Sequence, residues 1–266
     1  MTFYGKRAFG ALALVLVLGT AARADWNLED PAKWVQLPDL TPTGIDIDTD
    51  GCSIIADDFL CTSAGKITDI HFWGSWANDV KSSISKLHLT IYSDDRTGPF
   101  SKPGDILWAR PIDPMGQGTE GFTERLYTTI QQGNEAFWKP NSGAAPQTVD
   151  TQVFQYNIYI DPANAFFQAG QGTIYWLRIR AEIDESQGAR DFGWKTRDPS
   201  QHFEDDAVYF DTENLVWKEL KYPNDPRFGS LVGRSIDMAF VITPEPTTLA
   251  LLGLGGLSLI LGRKRK

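Results

Sequence analysis

The sequence predicts an all-β domain, a two-sheet antiparallel β-sandwich of jelly-roll type, flanked by an N-terminal signal helix and a C-terminal transmembrane helix. Three observations predict it. Apolar and polar residues alternate at period two in one segment after another. Clusters of Gly, Pro, Asn and Asp separate those segments. The long uninterrupted apolar runs stand at the two ends. With 266 residues, 42% hydrophobic and 12% aromatic, the chain has enough apolar material for one sizeable core, which excludes wholesale disorder.

Residues 1–24 read as a secretory signal peptide. Lys6 and Arg7 form its basic start, and Ala8–Ala22 is an uncharged run of 15 residues. A bilayer core about 30 Å thick needs roughly 20 apolar residues, so this run suits a cleaved signal better than an anchor. Ala22-Arg23-Ala24 supplies the small-x-small cleavage pattern, with the cut after Ala24. Passage through the Sec export machinery follows.

Residues 25–243 read as one β-sandwich domain. Tyr175, Leu177, Ile179, Ala181 and Ile183 share one face, with Arg178, Arg180 and Glu182 among their alternates. Leu87, Leu89 and Ile91 alternate with His88, Thr90 and Tyr92. Phe154, Tyr156, Ile158 and Ile160 form a third such face, and Ile236, Met238, Phe240 and Ile242 a fourth. Weaker strand patterns cover 52–60, 66–75, 105–110, 122–130, 191–196, 206–211 and 214–219. Turn signals fall at Asp94–Pro99, Lys102-Pro103-Gly104, Gln168–Gly172 and Tyr222–Pro226. Asn141–Gln147 is expected to be a long loop, and Pro162–Gln168 a helical turn. The chain has no internal repeat of 20–50 residues, which argues against a solenoid or propeller. Each sheet of a sandwich buries one face against the other, which accounts for the alternation.

The C-terminus has three parts in order. Pro244-Glu245-Pro246 opens a turn-forming spacer, Leu249–Gly262 is an apolar helix, and Arg263–Lys266 is a basic stop that should stay cytoplasmic. This end resembles a PEP-CTERM sorting signal. The resemblance implies recognition by an exosortase at the inner membrane of Gram-negative bacteria. It further implies a transient membrane tether through the C-terminal helix, then transfer to the cell surface or extracellular matrix. The domain between the ends is similar to an uncharacterised domain recurrent in such proteins. Ala56-Asp57-Asp58-Phe59, Ile67–Trp76, Ile91–Asp94, Phe192–Thr196 and Asp205–Val208 carry that likeness. It implies the fold and assigns no activity.

Charge narrows the function classes. The formal net charge is −9, and each end contributes +3, so residues 25–243 carry −15. Such a surface is unsuited to displacing counterions from phosphates, so a nucleic-acid partner is not expected. The two cysteines exclude a disulfide-dense scaffold. Cys52 and Cys61 flank a strand pattern. Nine extended steps would part them by roughly 30 Å, too far for a bridge unless the segment turns back.

Asp46, Asp48, Asp50 and Asp57, with Gly51 between, have the spacing of a calcium-binding loop, because alternate carboxylates can converge on one hard cation. The twelfth position is Asp57 where such loops place Glu. The pairs Asp57-Asp58 and Asp205-Asp206 read as solvated acids, although paired carboxylates also serve glycoside hydrolysis. No His-Glu-x-x-His and no Gly-x-Ser-x-Gly occurs. His71 and His88 fall on strand patterns, and His202 lies in a polar loop. Most of the nine Trp are expected to fill the core, while Trp76, Trp108 and Trp138 stand where a flat ring could stack on a sugar. The expected function is a non-enzymatic surface or matrix protein contacting exopolysaccharide. A secreted glycan hydrolase and a calcium-stabilised adhesin are the alternatives.

Overall fold

Period-two alternation becomes two facing layers. The computed structural model describes residues 25–50, 53–131, 133–184, 186 and 190–244. The expected signal helix and transmembrane helix, with Ala22, Ala24, Glu245 and Pro246, lie outside the described residues, as do Gly51 and Cys52. The smaller sheet has six strands, all antiparallel. Its order is β16 (Val216–Glu219), β15 (Val208–Asp211), β3 (Ile55–Leu60), β13 (Ile174–Ile183), β6 (Ile84–Asp95) and β7 (Lys102–Ile112).

The larger sheet has nine strands. β8 (Gly121–Thr129) pairs with β11 (Gln152–Tyr159), which pairs with β5 (Asp69–Trp76). The far edge of β5 is then shared. Its first half pairs with β17 (Phe240–Ile242), which leads to β1 (Trp34–Gln36). Its second half pairs with β14 (Phe192–Lys195), followed by β2 (Ile45–Asp48), β9 (Glu135–Trp138) and β10 (Gln147–Asp150). The β2–β9 pair is parallel. A two-stranded ribbon of β4 (Gly65–Ile67) and β12 (Phe166–Gln168) completes the described strands.

The inward residues of both sheets form one core that includes Ile45, Phe59, Phe72, Trp76, Leu89, Tyr156, Leu177, Phe192, Trp194 and Phe240. Trp194 Nε1 donates to the Ala239 carbonyl at 2.9 Å, and Trp76 Nε1 to the Tyr156 hydroxyl at 3.2 Å, so burial leaves neither indole unpaired. Thr49 stitches the layers together. Its N–H donates to Phe192 in the larger sheet, and its carbonyl accepts from Ala181 in the smaller.

Several local expectations change. Lys102-Pro103-Gly104 is the start of β7 instead of a turn: Pro103 pairs with Asp94, and an edge strand tolerates a residue that cannot donate. Within Pro162–Gln168 a turn closed by Asn164 N–H to Asp161 O leads into β12, whose Phe166 packs on the core. The long loop from Asn141 begins with a 3-10 turn at Pro140–Ser142 and ends where β10 starts at Gln147. Of 236–242 only the last three residues are strand, because Met238 N–H turns aside to Asp57 Oδ2 at 2.8 Å.

Candidate functional site

Two regions collect ionisable groups, one on the outward face of each sheet. On β2, Ile45 and Ile47 enter the core, which turns Asp46 and Asp48 to the other side. On β14, Phe192 and Trp194 enter the core and Lys195 faces Asp46, its register partner. Strands β9 and β10 extend the same surface and add Glu135 and Asp150. Asp46, Glu135, Asp150 and Lys195 are all 0% exposed. Lys195 Nζ bonds Glu135 Oε1 and lies 3.5 Å from Asp46 Oδ2. Carboxylate oxygens of the three acids lie within 4.8 Å of one another.

Neighbouring elements hold this cluster in place. Gly44 passes so close that a Cβ there would sit 2.6 Å from Lys195 Nζ. The turn Ala77–Asp79 has Asn78 and Asp79 at φ of 61° and 55°. The Asp79 carboxylate accepts from the Thr151 N–H and hydroxyl and from the Gln152 N–H, which anchors the chain directly after Asp150.

Burial dominates the electrostatics. It raises Glu135 to about 8 against the pull of Lys195, and raises Asp150 to about 10 with help from Asp46. Burial likewise raises Asp46, with Lys195 opposing. Desolvation works against the Lys195 ammonium, but Asp46 and Glu135 outweigh it and raise Lys195. One ammonium therefore sits among three carboxyl groups.

Beside this cluster, Asp48, Asp50 and Asp191 bring carboxylate oxygens within 4.8 Å of one another. Lys139 Nζ supplies counter-charge at 2.7 Å from Asp191 and 3.9 Å from Asp48. Ser53 Oγ donates to Asp48, and Asp50 Oδ2 accepts from Phe192 N–H at 2.8 Å. Asp48 rises to about 7 through burial and then the Asp50 charge.

The calcium-loop geometry expected of Asp46, Asp48, Asp50 and Asp57 is not formed. Asp46 and Asp48 project from a strand, and Asp57 belongs to β3 in the other sheet. There Asp57 accepts from Gln36 Nε2 at 3.2 Å and from Met238 N–H, spanning the layers. The Asp57-Asp58 pair is likewise buried instead of solvated. Burial, then Asp57, raises Asp58 to about 10. Asp205 and Asp206 are half-buried, with Lys221 at 3.4 Å from Asp206.

Trp76 is wholly buried in the main core and offers no face to a sugar; Trp108 and Trp138 are half-buried against that core. His71 is buried with Nδ1 2.7 Å from Asn157 Oδ1. His202 Nδ1 lies 3.0 Å from Asp237 Oδ1, a hydrogen bond that raises its pKa. Cys61 is a buried free thiol.

The second region is a groove of about 570 Å3 on the outward face of the smaller sheet. Arg178 and Arg180 of β13, His88 and Thr90 of β6, Arg110 of β7 and Thr212 line it. Period two puts Arg178 and Arg180 on one face, opposite Thr90 and His88 in register. Glu182 bonds His88 Nε2 at 2.9 Å, and Glu120 bonds Arg110 Nε at 2.8 Å. The Arg178 Nε is buried without a hydrogen-bond partner.

The fold and these two regions define a β-sandwich domain with a sealed polar cluster on one outward face and an open cationic groove on the other. The chain belongs to the family described as a domain of unknown function (DUF7901), whose model matches residues 32–243. Residues 243–266 match the PEP-CTERM protein-sorting motif, with Pro244, Glu245 and Pro246 at its head. No curated protein and no solved structure matches the chain. The sorting motif makes this an exported, membrane-processed protein and a substrate of exosortase.

Proposed function

We propose that the domain is a non-catalytic component of the cell surface or extracellular matrix whose groove holds an acidic exopolysaccharide. One observation carries the reading: Arg110, Arg178, Arg180 and His88 gather in one groove of a domain whose net charge is −15. Opposite charge in a concave site concentrates an anionic polymer, and Arg binds carboxylates in bidentate fashion. Two acids beside the groove, Glu182 and Glu120, are engaged with His88 and Arg110. That arrangement favours holding a polymer over cleaving it, since glycoside hydrolysis uses two carboxyl groups facing each other across the sugar.

The test is co-sedimentation of the purified protein with a uronate-rich polysaccharide and with a neutral one. Preferential, salt-sensitive binding of the acidic polymer is expected, without release of reducing ends. Equal retention of both polymers, or none of either, overturns the groove assignment. Release of reducing ends overturns the non-catalytic one.

A further inference from the structure

We propose that Lys195 Nζ and the Asp46 carboxyl condense into an intramolecular isopeptide bond that ties β14 to β2. The two residues are opposite each other in register on adjacent antiparallel strands, and Nζ lies 3.5 Å from Asp46 Oδ2. Directly opposed strand residues have Cβ atoms about 5 Å apart, a gap the lysine stem spans while folding back toward the shorter aspartate. Both side chains are 0% exposed, as are the two further acids that touch them.

Those acids complete the chemistry. Glu135 Oε1 contacts Lys195 Nζ and takes one proton from the ammonium. Asp150, whose carboxyl oxygen lies within 4.8 Å of that of Asp46, lends the Asp46 carboxyl a proton and polarises its carbonyl. The freed amine attacks Asp46 Cγ and forms the C–N bond. Its second proton passes to Asp150, which is thereby restored. The Cγ–O bond breaks as the departing hydroxyl takes the proton held by Glu135, and water leaves. The net change is one ammonium and one carboxylate converted to one amide and one water, with Glu135 and Asp150 returned to their starting states. No oxidant or other reactant enters.

Burial favours this outcome, since condensation removes a positive and a negative charge from a place where charge is strongly disfavoured. Asp46 is assigned as acceptor over Glu135 because it is the register partner of Lys195 on the adjacent strand, while Glu135 Oε1, in contact with Nζ, is placed to take its proton.

The test uses the natural full chain, purified after export, then denatured, reduced and digested with trypsin for peptide mass spectrometry. A branched species is expected, joining Trp34–Lys66 to Asp191–Arg197 and lighter than their sum by one water, with no cleavage after Lys195. Fragmentation should locate the branch at Asp46. Quantitative recovery of linear Asp191–Lys195 overturns the proposal, and so does a branch on Leu126–Arg178, the peptide that carries Glu135 and Asp150. In Glu135→Gln, whose side chain is isosteric, the branched peptide should fall at least tenfold while circular dichroism stays unchanged. An undiminished branch overturns the role given to Glu135. Because the decisive map is made on the unsubstituted protein, a variant that failed to fold would leave the result standing.

Discussion

The outward faces of the two sheets arise from the same alternation and end with opposite access to solvent. On the larger sheet, Asp46, Glu135, Asp150 and Lys195 are sealed; on the smaller, Arg178, Arg180 and His88 line an open groove. Strand periodicity cannot produce the difference, because it settles only which side of a sheet a residue faces. Cover produces it. Trp26, ahead of β1, and Leu37, just after it, pack over the larger sheet against Trp73, Val153 and Val241. Trp26 is fastened there by Gln155 Nε2, which donates to its carbonyl at 3.0 Å. Gly44 then closes over Lys195. Charged residues are therefore fully buried on one face and half-exposed on the other.

Removing the sealed cation should break this contrast most severely. Lys195→Met leaves three buried carboxyl groups without the nitrogen they surround, and the expected loss is about 3–5 kcal/mol by chemical denaturation. Asp79→Ala acts on the same face from its edge. It deletes the acceptor for Thr151 and Gln152, and the expected loss is about 1.5–3 kcal/mol in the same assay.

A pH series sharpens the comparison by titrating a sealed acid of the smaller sheet. Asp58 is raised to about 10 by burial and by Asp57, from an ordinary 3.8. Between those values the folded chain holds a proton that the unfolded chain has released, so stability must fall as pH rises. The slope is about 1.4 kcal/mol per pH unit for such a group. Melting temperature should therefore drop from pH 5 to pH 8, and Asp58→Asn, which cannot ionise, should flatten the drop. A melting temperature that climbed over that range would contradict the assignment. The smallest stability effect belongs to the groove: Arg178→Ala combined with Arg180→Ala should shift stability by only about 0.5–1 kcal/mol. The same pair should weaken retention on the acidic polysaccharide at least tenfold in co-sedimentation.

How much of this was legible before folding depends on range. The strands around Tyr175–Ile183, Leu87–Ile91 and Phe154–Ile160 announce themselves, because five to nine residues of regular alternation outweigh local noise. The short strands β1, β2, β9 and β10 do not, since three or four residues carry too little pattern. Asp46 and Asp48 show the ambiguity best. Alternate aspartates are the signature of a calcium loop and equally of a strand with one polar face, and the isoleucines between them were the sign of the strand. Lys195 carried a weaker signal, a lysine closing the apolar stretch Phe192–Trp194.

The sequence by itself determined the sandwich class, the acidic balance of the carried domain and the address written in its last 23 residues, because alternation, charge and a linear sorting motif are properties of contiguous chain. Only the tertiary structure decided that Asp46, Glu135, Asp150 and Lys195 meet. Their positions are scattered over the chain, and the order β14, β2, β9, β10 that gathers them follows from how strands pair, which no local stretch encodes. Only the structure, too, decided that they meet out of reach of bulk solvent, since burial depends on what the rest of the chain lays over them.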